Sequence, residues 1–199
     1  ARMELMSFYL SLIDKISYRA RLCIERETEV LASAENAVFP YGELREGQEL
    51  MIKDCYSALR RGKRIFVEAP TGTGKTISAL FPSVKAMGEG HIGKIFYLTA
   101  KVITRKVARD TIEDMANGSG LVLNSIVMSA KNRSCLGDGN CLPHLCKYSK
   151  GHGERVNEAL FDMVSNCCLI TPEVVTEYAQ KYTVCPHELA LDASLFCDV

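Results

Sequence analysis

The stretch Ala69-Pro70-Thr71-Gly72-Thr73-Gly74-Lys75-Thr76 decides how this chain is read. Holding an anion with backbone N–H groups requires a loop so tight that glycine must stand where the main chain approaches the ligand, and Gly72 and Gly74 meet that need. Lys75 can then reach the β- and γ-phosphates of a nucleoside triphosphate, while Thr76 can offer its hydroxyl to Mg2+. Thr71, Gly72, Thr73, Gly74, Lys75 and Thr76 form the expected ATP-Mg cradle, with Lys75 and Thr76 as its catalytic members. The loop departs from the general pattern at Ala69, where a first glycine is usual. A glycine-rich turn that merely precedes a lysine is the plainer alternative, but the flanks argue against it. Residues 64–69, with Ile65, Phe66 and Val67, read as a short strand, and helical spacing holds over 75–87.

Upstream, Leu5, Phe8, Tyr9, Leu12, Ile13 and Ile16 recur at helical spacing within 3–34, which predicts one long packing helix or two short ones. Phe39-Pro40-Tyr41-Gly42 is a turn, helical periodicity resumes over 47–61, and Gly62 ends it. Downstream, 94–99 reads as a buried strand, 103–115 as a helix and 121–128 as a third apolar run. Strands alternating with helices predict an α/β domain with a parallel sheet covered on both faces. Cys, Gly, His and Lys crowd into 129–153 and both periodicities vanish, which marks a small insertion. Residues 154–164 and 172–182 are helical again, around a short apolar run at 167–170. Residues 195–199 read as the opening of a strand. Both ends look cut, so a piece of a longer protein is expected.

With 199 residues and 47% hydrophobic composition, the chain can bury a core for one large domain, or for one domain plus an insertion. Lys+Arg 24 balances Asp+Glu 24, so any nucleic-acid binding must come from local basic patches. No apolar run approaches the roughly 20 residues of a membrane span, and no secretory leader is visible. A cytoplasmic location without membrane contact is expected. In that reducing setting the nine cysteines, an odd number, are expected to be free or metal-bound and not disulfide-paired.

Residues 69–76 resemble the ATP-binding motif of superfamily 2 DNA helicases, specifically the XPD/DinG type that carries an iron-sulfur cluster. Phe39-Pro40-Tyr41 followed by Arg45 and Gln48 resembles the segment ahead of that loop, and the resemblance implies that the Gln48 amide reads adenine. Leu98-Thr99-Ala100-Lys101 with Thr104-Arg105 resembles the segment that touches single-stranded DNA. It implies backbone contacts, without base specificity, from Thr99, Lys101, Thr104 and Arg105. The alternative for Lys101, Arg105, Lys106 and Arg109 is a solvated helix face. The likeness extends from about residue 39 onward, and 141–160 reads closely like bacterial DinG-type proteins. It implies a RecA-like fold and an ATP-dependent, 5′ to 3′ DNA helicase, monomeric, engaging single strands and duplex junctions in DNA repair. An Asp-Glu-Ala-His motif is expected to follow the strand near Asp198 and Val199, and a second motor domain with an arginine finger after that. This stretch alone is therefore expected to turn over little ATP.

Cys135, Cys141, Cys146 and Cys185 match the family positions that ligate a 4Fe-4S cluster, spaced C-x5-C-x4-C before a distant fourth cysteine that Pro186 follows. On residue chemistry alone, zinc held by Cys141, His144, Cys146 and a further cysteine is an equal rival, although paired C-x2-C ligands are missing. Cys23, Cys55, Cys167, Cys168 and Cys197 read as ordinary thiols. Lys147, Lys150, His152 and Arg155 are a cationic group expected to guide the strand, or else a solvated loop. His91 and His187 are left to surface or packing roles. The expected organisation is an N-terminal helical segment 1–38, a first RecA-like motor domain 39–128, a mainly helical iron-sulfur insertion 129–193 and a return strand 194–199. The rival functions are a redox-sensing iron-sulfur or zinc DNA-binding module with a regulatory nucleotide site, and a small-molecule kinase. The Gln48 segment and the cysteines speak against the kinase.

Overall fold

The computed structural model describes residues 2–139, 141–142 and 144–199. Helix α1 (Arg2–Glu35) runs unbroken for 34 residues. Most of its length leaves Phe8, Leu12, Ile13 and Ile16 exposed, and only its last turns, through Val30 and Ala34, are buried. There Gly88 of α3 (Lys75–Gly88) lies against the backbone of Ala34 and Glu35, where a Cβ would collide. Lys85 of α3 donates to the Glu35 carbonyl and so satisfies an acceptor that the end of α1 leaves open. Helices α2 (Gln48–Arg60) and α4 (Val102–Ser119) flank α3. Leu80, Val84 and Met87 of α3 meet Ile112 and Met115 of α4, with Ile95, Leu121 and Leu123, in a first apolar cluster.

The second cluster is built by α6 (His152–Asn166), α7 (Pro172–Tyr182) and α8 (Pro186–Ser194), after the short α5 (Lys131–Ser134). Val156, Met163, Ile170, Val175, Leu189 and Cys197 fill it. The start and end of α7 have local causes. Thr171 accepts the Val174 N–H at 3.4 Å, Pro172 takes the first turn where its missing N–H costs nothing, and Thr183 at φ 54° closes the other end.

Between the clusters, β1 (Ser125–Ile126) and β2 (Leu169–Ile170) pair in parallel, Ser125 opposite Leu169 and Ile126 opposite Ile170. On the other side of β1, the Ile126 N–H reaches Val199 at 2.9 Å and the Asp198 N–H reaches Asn124 at 2.7 Å; the Ile95 N–H donates to Asp198 at 2.9 Å. Residues 198–199 thus run extended between β1 and Ile95, but the return strand expected over 194–199 is not formed before them, because Ser194 still belongs to α8 (Pro186–Ser194) and 195–196 turn out of that helix.

The sheet is smaller than the sequence predicts. Among the described residues no backbone hydrogen bond from another segment reaches 64–69, and Phe66 is 95% exposed. Residues 94–99 are tied by Ile95 and alternate between buried Ile95 and exposed Phe96 and Leu98. A strand needs a neighbour for its N–H and C=O groups, and β-forming side chains without one give only extended chain. The third run narrows to Ser125–Ile126 for the same reason.

Candidate nucleotide and nucleic-acid sites

Gly72 at φ 84° and Gly74 at φ 76° give the loop its left-handed turns, and Gly74 caps α3. The side chain Gly74 lacks is replaced in space by the amide nitrogen of Gln48. Gln48, the first residue of α2, is only 4% exposed; its Oε1 accepts the Arg45 N–H at 2.7 Å, and the Arg45 guanidinium donates to the Gly72 carbonyl at 2.6 Å. The segment expected to read adenine therefore braces the loop directly. Lys75 Nζ donates to the carbonyls of Ala69 at 2.9 Å and Pro70 at 2.6 Å, and the Thr73 hydroxyl donates to Pro70 at 2.9 Å. The cation is held within the loop, beside the positive end of α3, whose first turn carries no acidic residue. Thr71 stands exposed beside them, and the Thr76 hydroxyl lies 3.3 Å from that of Tyr97, which joins the loop to 94–99.

Of the residues expected to meet nucleic acid, Thr99 and Thr104 hydrogen-bond each other, and Thr104 also donates to the Lys101 carbonyl at 2.6 Å, closing the turn into α4. Arg105 donates to the Met128 carbonyl at 2.5 Å. Lys101 and Arg105 line a cavity of about 440 Å3 between 94–102, α4 and β1.

All nine cysteines are free thiols. Cys135, Cys141, Cys146 and Cys185 line one cavity of about 290 Å3. Gly137 lies between two of them: a Cβ there would stand 3.9 Å from the Cys146 sulfur and 4.0 Å from that of Cys135. The Cys185 N–H donates to His152 Nδ1 at 3.1 Å. Lys131 also lines the cavity, and its pKa is raised chiefly by its electrostatic interaction with the Cys141 side chain and by a hydrogen bond to it. Among the described residues, no group of three or more His, Cys, Asp or Glu side chains converges as a single metal ion requires. His144, which the zinc alternative invokes, is not among the described lining of this cavity, whereas His187 is, with a buried Nδ1 that has no hydrogen-bond partner among the described residues. The sequence hinted at His187 only by its place just after Cys185-Pro186. Cys197 does not line this cavity but is buried in the second apolar cluster, and burial pushes its thiol up to about 12, so it stays protonated and inert.

The cationic group after Cys146 is corrected in part. Arg155 donates to the carbonyls of Tyr182 at 3.1 Å, Thr183 at 2.7 Å and Lys150 at 2.7 Å, tying the start of α6 to the end of α7. With His152 engaged by Cys185, two of its four members are structural braces, and Lys147 and Lys150 remain exposed.

A left-handed glycine that opens a helix, with a lysine gathered behind it, is the arrangement of the P-loop nucleotide-binding class. Within that class, residues 45–146, just over half of the chain, match the DEAD/DEAH box helicase family, and the chain belongs to it. Over 46 residues, 23% of this chain, it is 41% identical to a probable ATP-dependent helicase of Methanocaldococcus jannaschii. The matched stretch is 7% of that relative's length. No solved structure matches. The family implies a RecA-like α/β arrangement, of which the chain shows the helices and a two-stranded parallel sheet. No helix among the described residues is long and apolar enough to cross a membrane.

Proposed function

We propose that the chain supplies the nucleotide-binding part of an ATP-dependent DNA helicase of the XPD/DinG type. The observation that carries this reading is the braced loop, in which Gln48 and Arg45 hold Gly74 and Gly72, within a chain of helicase family. Lys75 leaves its carbonyl partners for the β- and γ-phosphates, Thr76 leaves Tyr97 for Mg2+, and Thr71, Thr73 and the loop N–H groups complete the cradle. Gln48 couples adenine to the loop through the amide it turns toward Gly74. Thr99, Lys101, Thr104 and Arg105 hold the backbone of one DNA strand, and ATP-driven closure moves that strand 5′ to 3′ through a monomeric motor at duplex junctions.

The four cysteines fit a 4Fe-4S cluster. A tetrahedral zinc site needs its sulfurs roughly 3.8 Å apart, as bonds of about 2.3 Å require. A cubane spreads its four thiolates more widely, one to each iron. Four free thiols around one cavity, with no tight group of donors among the described residues, suit the second arrangement. When bound, the cluster supplies a cross-link and the capacity to take up one electron; the chain's own part is to hold Cys135, Cys141, Cys146 and Cys185 in place around it. In this reading 39–128 is the motor, 129–193 the cluster module, and 1–38 and 194–199 its helical lead-in and return strand.

The test is ATP hydrolysis by the full-length protein with and without single-stranded DNA. Stimulation by DNA supports the helicase. Hydrolysis indifferent to DNA, with phosphate passed to a small acceptor, points to a kinase. Binding of both ligands without stimulated turnover points to a redox-sensing module.

A further inference from the structure

We propose that the cleft between α4 and the start of α7 is a second seat for a backbone phosphate of single-stranded nucleic acid, formed by Lys106 and Arg109 with Arg105 shared between the two seats. Given the helicase reading above, the strand that meets Lys101 continues around α4 into this cleft.

Three facts of placement support the seat. Position 109 is four residues from 105 and three from 106, so Arg109 stands between Arg105 and Lys106 on α4 and the three cations fall on one side of the helix. They line a cavity of about 180 Å3 whose opposite wall is Thr171, Pro172 and Glu173 at the head of α7. That cavity shares Val102, Arg105, Arg109 and Val127 with the larger one lined by Lys101, so the two adjoin along α4. A solvated face of α4 would owe nothing to α7. Here the cations face a wall from the other apolar cluster, since α4 packs in the first and α7 in the second. An anionic polymer lodged there would bridge the two halves of the molecule.

The present partners of these cations leave room for a phosphate. Arg105 spends one N–H on Met128 out of a fork of five donors. Arg109 holds the neighbouring Asp110 at 2.7 and 3.0 Å, at a pair open to solvent, where such contacts are weak. Glu173 sits at the same mouth. Its carboxyl is held below the ordinary range, first by the Thr171 hydroxyl and its own N–H, with a smaller contribution from Arg109. The seat thus already favours an anion, and Glu173 is the internal competitor that a phosphate must overcome.

The experiment measures binding of dT and rU oligomers to the full-length protein by fluorescence anisotropy across a salt series, for Lys106→Gln, Arg109→Gln, Glu173→Gln and, as reference, Lys101→Ala. Lys106→Gln and Arg109→Gln are each expected to weaken binding several-fold and to flatten the slope of log affinity against log salt by about 0.7 per lost contact. Glu173→Gln is expected to tighten binding. A phosphate seat does not report the sugar, so both oligomers should respond alike, with nucleotide affinity unchanged. If Lys101→Ala flattens the slope while Lys106→Gln and Arg109→Gln leave it at the parent value, the second seat is wrong and the helicase reading stands. Weaker binding by Glu173→Gln also overturns the seat. If the parent binds neither oligomer, both readings fall.

Discussion

Gly74 is confined to glycine from two directions, its φ of 76° and the Gln48 amide that fills the place of a Cβ. Gly74→Ala should cost about 1–2 kcal/mol from left-handed backbone strain alone, and more as Gln48 is pushed out and releases Arg45. Urea unfolding measures the first effect and nucleotide titration the second; an alanine variant as stable and as tight-binding as the parent would show the loop to be more yielding than this packing allows. Lys75 makes a sharper case. Its ammonium donates to the carbonyls of Ala69 and Pro70, which in the proposed reading it exchanges for phosphate oxygens. Lys75→Ala should remove a charge-assisted contact of about 1.5–3 kcal/mol, roughly tenfold to a hundredfold in ATP affinity by calorimetry. Equal affinities in variant and parent would remove Lys75 from the site.

At the scale of the element, α2, α3, α4, α6 and α7 were legible because each carries an apolar stripe of helical period, and α7 also has Thr171 and Pro172 to open it. The extended runs were less so. Nothing in 64–69 or 94–99 names a neighbour, and whether β-forming residues become a strand is decided by distant chain. Side-chain cross-braces were invisible for the same reason, as Asp162 shows. It accepts from Lys181 at 2.6 Å and Tyr182 at 2.7 Å, with Asn166 at 2.9 Å, and so ties α6 to the end of α7. The Lys181 hydrogen bond first, then that of Tyr182, holds its carboxyl below the ordinary aspartate range. Folding lowers this pKa, so the contribution is present at neutral pH and fades as acid protonates the folded carboxylate. Urea midpoints of Asp162→Asn and parent should therefore differ at neutral pH and converge in acid; a constant gap across the series would assign Asp162 a role in shape only.

For the whole molecule, the two apolar clusters meet through β1 with β2, through residues 198–199, and along α1, where Arg19 stacks on Phe161 at 4.8 Å and Arg26 reaches Asp198 at 3.2 Å. The phosphate loop could be read from sequence because its residues are contiguous. Gln48 packed on Gly74 could not, since that contact belongs to tertiary structure. The cysteines lie between these cases: spacing brings Cys135, Cys141 and Cys146 together, but only folding places Cys185, at the head of α8, on the same cavity. That cavity sets the last prediction. Among the described residues of 129–151, Leu136 alone packs against the second cluster, and only partly buried, so little apolar burial offsets the entropy of ordering them. A cluster ligated by Cys135, Cys141, Cys146 and Cys185 would supply the missing cross-link. Protein purified without oxygen should be brown, carry about four irons and four acid-labile sulfides per chain, and lose both in Cys185→Ser. Proteolysis of that variant should cut first between 129 and 182 while ATP still binds, because α3 and α4 bury their own apolar faces. Stoichiometric zinc without sulfide would replace the cluster with a zinc module, and unchanged iron in Cys185→Ser would remove Cys185 from the ligand set.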